Sequence, residues 1–96
     1  MNNFNNTLNI TYMQQIKKYN VIILGNRIRE KREALGVTIN QIVNLKGGLS
    51  VATWSRIENG VYSNIDFSTL IVISNALGCT IDFLLKDLNF DYRVIE

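Results

Sequence analysis

Ninety-six residues suit a single domain with a modest core, and an apolar fraction of 47% argues for a folded globule rather than a disordered chain. There is no histidine and one cysteine, Cys79, which excludes an intrachain disulfide and any histidine-based metal site or catalytic triad; no apolar run approaches the ~18 residues of a membrane span. The net charge is only +2, but residues 1–60 hold eight Lys/Arg against three acids and residues 61–96 hold two against five, as in a chain that meets phosphate with its first part, although ordinary solvated faces share that pattern.

In chain order, MNNFNN (1–6) is too polar to offset its own ordering entropy. It has no basic stretch before an apolar core, so no signal peptide is expected and the cytoplasm is the expected compartment. Leu8, Ile10 and Tyr12 then alternate with Asn9 and Thr11, the period of a half-buried strand. Phe90, Tyr92 and Val94 alternate with Asp91 and Arg93 at the other end. Neither strand is stable alone. Either the two pair, within one chain or between two, or both are frayed tails. Residues 1–13 are thus read as an arm or short strand, 14–88 as the domain, and 89–96 as a tail or short strand.

From Gln14 to Leu35 the spacing predicts a helix. Its stripe runs through Ile16, Tyr19 or Asn20, Ile23 or Leu24, Ile28, Arg32 and Leu35, with Gly25 a weak point and Gly36 the stop. Thr38 and Gln41 have the spacing of a capping box for a second helix, whose apolar face is Ile39, Ile42, Val43 and Leu45. Gly47 and Gly48 end it. Ser50 caps a third helix, with Trp54 and Ile57 inward, Leu49 stapling from outside, and Val51, Ala52, Thr53, Ser55 and Arg56 largely on the other side. Gly60 closes that helix. After a loop, Asp66 caps a fourth helix, onto which Ile65 can staple at Leu70. Phe67, Leu70, Ile71, Val72, Ile73, Ala76 and Leu77 form a face broader than one side of a small core needs. Gly78 ends it. Thr80 caps a fifth helix, with Asp82 in its first turn and Phe83, Leu84 and Leu85 closing the core. Cys79 reads as a small buried residue rather than a reactive thiol. The fold class is all-α: five helices around one core, with two candidate terminal strands.

Thr38–Gly60 is two short helices joined by a Gly-Gly turn, a unit that can lay its second helix in the major groove of DNA. With LGNRIREKREALG (24–36), SRIENG (55–60) and ALGCTIDFLL (76–85) in order, the segment Leu24–Leu85 resembles the lambda-repressor-like helix-turn-helix family, the Cro and phage-repressor type. The resemblance covers about two-thirds of the chain. It implies a DNA-binding site at Thr38, Lys46, Ser50, Val51, Ala52, Thr53, Arg56, Asn59, Tyr62 and Asn64. Arg56 is the base reader, since its fork matches guanine O6 and N7; the competing reading pairs it with Glu30 or Glu33. Thr38 and its helix N-terminus suit a phosphate. Lys46, Asn59, Tyr62 and Asn64 are read as backbone contacts. Val51 and Ala52 offer only apolar contact, so DNA shape must supply part of the specificity. Arg32 and Glu58 match the family's structural ion pair, and Trp54 is core rather than a base stacker.

The chain departs from the family at four places. Ile39 stands where a glutamine is usual, and Val43 where alanine lets the helices approach. The turn NLKGGLS (44–50) and the loop before the fourth helix are each one residue longer, and the chain has no proline. The resemblance implies a sequence-specific transcriptional regulator, a repressor acting as a homodimer on double-stranded DNA. No enzyme activity, cofactor, membrane or small-molecule substrate is expected. A reading from another class is a protein-interaction module, an antitoxin or anti-repressor partner, that keeps the fold and reads bases weakly.

Overall fold

The computed structural model describes residues 20–62 and 65–88. The expected terminal strands, the helical start at 14–19 and Asn64 lie outside the described residues. Within them are five α-helices and no strand: α1 (20–34), α2 (Ile39–Lys46), α3 (Val51–Glu58), α4 (Phe67–Leu77) and α5 (Ile81–Leu85).

Each start has a local cause. The Thr38 hydroxyl accepts from the Gln41 amide at 3.1 Å, and the Gln41 side chain accepts from the Thr38 amide at 2.8 Å, closing the capping box of α2. Ser50 caps α3 by accepting from the Thr53 amide at 3.1 Å. Asp66 does so for α4 from Thr69 at 2.8 Å, and Thr80 for α5 from Phe83 at 3.0 Å. Hydrogen bonds from Thr69 and Ser68 hold the Asp66 carboxyl below its ordinary range. The stops are equally local. Past the end of α3, Val61 donates to the Arg56 carbonyl at 3.0 Å and Gly60 to Ile57 at 3.1 Å, with Gly60 at φ 72°. This is a Schellman closure, which needs the positive φ that glycine tolerates. Cys79 and Gly78 close α4 in the same way.

One core joins all five helices: Leu24 and Ile28 from α1, Ile42 from α2, Trp54 and Ile57 from α3, Leu70, Ile73, Ala76 and Leu77 from α4, and Leu84 from α5. At about 1.5–3 kcal/mol per fully buried large side chain, this cluster is the main force holding α3 in place. The turn after α2 rests on α4. A Cβ added at Gly48, itself at φ 92°, would meet a Val72 methyl at 2.7 Å, so both backbone and space require glycine there.

Helix α1 is used on three sides. Val21, Leu24 and Ile28 enter the core. Arg27 donates to the Leu84 carbonyl at 2.9 Å, and the Lys31 ammonium lies 4.5 Å from the Phe83 ring centre, so this side holds α5. The third side, Ile22, Gly25, Arg29 and Arg32, faces the end of α3. A Cβ at Gly25 would collide with the Ile57 carbonyl and come within 2.6 Å of that of Glu58, and one at Gly60 would come within 2.9 Å of Ile22. Gly25 is therefore a point of close approach between α1 and the end of α3, rather than a weak point in a helix.

Three expected core positions are corrected. Leu35 is 53% and Leu45 73% exposed, and Phe83 is also exposed. Leu35 lies in the turn that follows α1, outside the helical register that would carry it inward. Leu45 falls on α2 beyond the arc that Ile42 turns inward, leaving Ile39 and Val43 half-buried beside it. Phe83 lies under Lys31 instead of under the core. The broad face of α4 divides as its width suggested, with Leu70, Ile73, Ala76 and Leu77 inside and Phe67 and Ile71 outside.

Candidate nucleic-acid interface

Helix α3 presents one side and hides the other because the chemistry of its eight residues alternates at helical period. Trp54 (1%) and Ile57 (0%) are buried, while Ser50, Val51, Ala52 and Arg56 are exposed and Thr53 and Ser55 are half-exposed. The Ser50 and Thr53 hydroxyls lie 3.0 Å apart in a hydrogen bond at the helix start. Neither α2 nor α3 has an acid in its first turn. The first turns thus place no acid of their own at the positive ends of the two dipoles, which favours an outside anion there. Lys46, in the last turn of α2, and Arg56 are both exposed. Among the described residues neither has an ion-pair or hydrogen-bond partner, and Glu30 and Glu33 do not hold Arg56.

The other end of α3 is clamped. The Glu58 carboxylate is 2% exposed and accepts from three side chains. Arg32 donates from Nε at 2.6 Å and from Nη2 at 2.9 Å, Trp54 from Nε1 at 2.6 Å, and Arg29 from Nε at 3.4 Å. Arg32 also reaches the Val37 carbonyl at 2.8 Å, tying the lead-in to α2 to the same cluster. Burial pushes the Glu58 carboxyl up and is the largest single influence on it. The bonds from Arg32, Trp54 and Arg29, with the Arg32 charge, together outweigh burial and hold the carboxyl below the ordinary glutamate range. The Glu58 hydrogen bond, opposed by desolvation, raises the Arg32 guanidinium above its already high value. A buried ion pair with its lone pairs satisfied fixes geometry more than it adds stability.

The remaining site residues fall in distinct places. Thr38 is exposed at the α2 cap, and its hydroxyl is engaged with Gln41. Asn59 is exposed at the end of α3, with its side-chain oxygen taken by Arg29 Nη2 and its nitrogen donating to Ser55 Oγ at 3.4 Å. Tyr62 is half-buried and packs against the core. Thr38, Ser50, Val51, Ala52, Thr53, Arg56 and Lys46 all belong to the α2–turn–α3 unit, and Asn59 adjoins its end. Arg29 was not among the expected site residues. Its signal was present: Gly25, Arg29 and Arg32 are spaced four and three apart on one helical face, and Trp54 and Glu58 four apart on another.

A second helix with an exposed flank, a glycine turn, two helix N-termini without a first-turn acid and two cations unpaired among the described residues fit a DNA-binding helix-turn-helix domain. A helix-turn-helix family model matches residues 28–84, and the chain belongs to this family, the Cro/C1 type of DNA-binding regulators. No curated protein and no solved structure matches the chain.

Proposed function

We propose that the chain is a sequence-specific transcriptional repressor that binds double-stranded DNA as a homodimer. In this reading residues 14–88 form the binding domain, flanked by segments 1–13 and 89–96. Helix α3 enters the major groove. Arg56 donates to guanine O6 and N7, Val51 and Ala52 touch thymine methyls, and the Ser50 and Thr53 hydroxyls meet base edges or phosphate near the helix start. The α2 N-terminus at Thr38, with Lys46, Asn59, Tyr62 and Asn64, holds the backbone. The observation that carries the reading is the exposed Arg56, without a partner among the described residues, on a helix whose opposite side is anchored by Trp54 and Ile57.

One such unit offers few base contacts, so two copies on a dyad, reading half-sites about 34 Å apart, suit specific occupancy. Phe67, 66% exposed, and Ile71 stand four residues apart on the outer side of α4 and supply an apolar surface for the second copy. Occupancy then represses by excluding polymerase.

Selection of sites from random DNA, followed by titration at several salt concentrations, tests this. A dyad-symmetric site and a steep negative slope of log K against log salt are expected. Arg56→Ala should relax preference at one base step per half-site, at a cost of about 1–3 kcal/mol, whereas Lys46→Ala should weaken all sequences alike. A flat salt slope on every duplex overturns the proposal.

A further inference from the structure

We propose that Arg29 is a positioning residue for DNA binding: it locks the Asn59 side-chain amide so that the NH2 end, not the carbonyl end, is offered to a phosphate. This rests on the reading of Asn59 as a backbone contact. A guanidinium has five N–H donors and no acceptor, so the amide oxygen is the atom that must face it. Arg29 Nη2 donates to that oxygen and also to the Glu58 carbonyl at 3.4 Å. Its Nε is tethered at 3.4 Å to Glu58 Oε1, on a carboxylate itself fixed by Arg32 and Trp54. The fork is thus held at its root by buried groups and grips an exposed amide at its tip.

The consequence for Asn59 follows from its inventory of donors and acceptors. The oxygen is spoken for. One N–H points to Ser55 Oγ at 3.4 Å, leaving the second for an outside acceptor. An unheld asparagine turns either end outward, and its oxygen repels a phosphate as well as its nitrogen attracts one. Gly25 makes the device feasible. One turn before Arg29, it lets α1 come close enough to the end of α3 that a Cβ would meet the Glu58 carbonyl at 2.6 Å, which brings Arg29 within reach of Asn59.

The test is a double-mutant cycle on the full chain with a duplex carrying the selected site: Arg29→Met, Asn59→Ala and the double variant. Each single change is expected to weaken binding about threefold to tenfold, the scale of one lost hydrogen bond. The double variant should be no weaker than Asn59→Ala within about twofold, with the salt slope of Arg29→Met unchanged. Losses that multiply, or a slope reduced by about 0.9, make Arg29 a phosphate contact in its own right and overturn the proposal. The free protein provides a reading independent of DNA. The two side-chain amide protons of Asn59 should be more widely separated in its NMR spectrum than those of the exposed Asn44, and should collapse toward them in Arg29→Met. If the Asn59 pair already resembles that of Asn44 in the unaltered protein, there is no lock. A locked pair together with a flat salt slope overturns the DNA reading, and with it the role of Arg29, while leaving the lock as a fact of the free chain.

Discussion

The two ends of α3 differ as a handle differs from its socket. At its start, Ser50, Val51 and Ala52 are exposed, and Ser50 makes short-range hydrogen bonds to Thr53 and Trp54. At its finish, Ile57 and Glu58 are buried, and Glu58 and Asn59 are bonded by Arg32 and Arg29 of α1, some 26 to 30 positions away in sequence. A reading helix needs both conditions. Fixity at one end sets the angle at which the other protrudes, and freedom at the other end leaves side chains available to bases. In this chain the core holds α3 through Trp54 and Ile57, and one carboxylate and one glycine fix the position of its last turn against α1.

The largest expected break in that contrast is Glu58→Ala. It strands the mostly buried Arg32 guanidinium and orphans Trp54 Nε1, and should lower unfolding stability by about 3–5 kcal/mol in urea titration. The same group sets a pH signature. Because its folded pKa lies below the ordinary 4.5, its contribution is complete above that value and is lost as pH falls from there through the folded pKa. Thermal midpoints should therefore drop on acidification below about pH 4.5. Glu58→Gln should drop less steeply, the residual slope coming from other carboxylates such as Asp66, whose pKa is also lowered. Gly25→Ala comes next. Its Cβ must displace backbone rather than a flexible side chain, so a loss of about 1–3 kcal/mol is expected, with weaker DNA binding because α3 is tilted. The smallest effect on stability sharpens the comparison from the other side. Arg56→Ala, on the exposed flank, should move the unfolding free energy by no more than about 0.5 kcal/mol. A larger change would mean that the flank is part of the fold.

Much of this architecture was legible because its signals are short-range. The caps at Thr38, Ser50, Asp66 and Thr80 and the stops at Gly60 and Gly78 each depend on bonds within a few residues. The pairing of Trp54 and Ile57 inside with Arg56 outside follows from helical period alone. The readings that missed were those set by distant neighbours. Leu35, Leu45 and Phe83 carry the same apolar signal as true core residues, and only the placement of the other helices decides which is covered. Gly25 looks like a helix weakness until α3 is set against it, and Arg29 looks like one more surface cation until Glu58 and Asn59 arrive beneath it.

Sequence by itself therefore determined the order of the helices, the caps of α2 to α5 and the inward and outward sides of α3, since these follow from local bonding and from periodicity within one element, while the family was carried by the resemblance of its ordered motifs. Tertiary structure alone decided the burial of individual leucines, the three-donor cluster on Glu58 and the grip of Arg29 on Asn59. The physical reason is that such contacts join groups far apart along the chain, and their energy depends on a distance that no local pattern encodes.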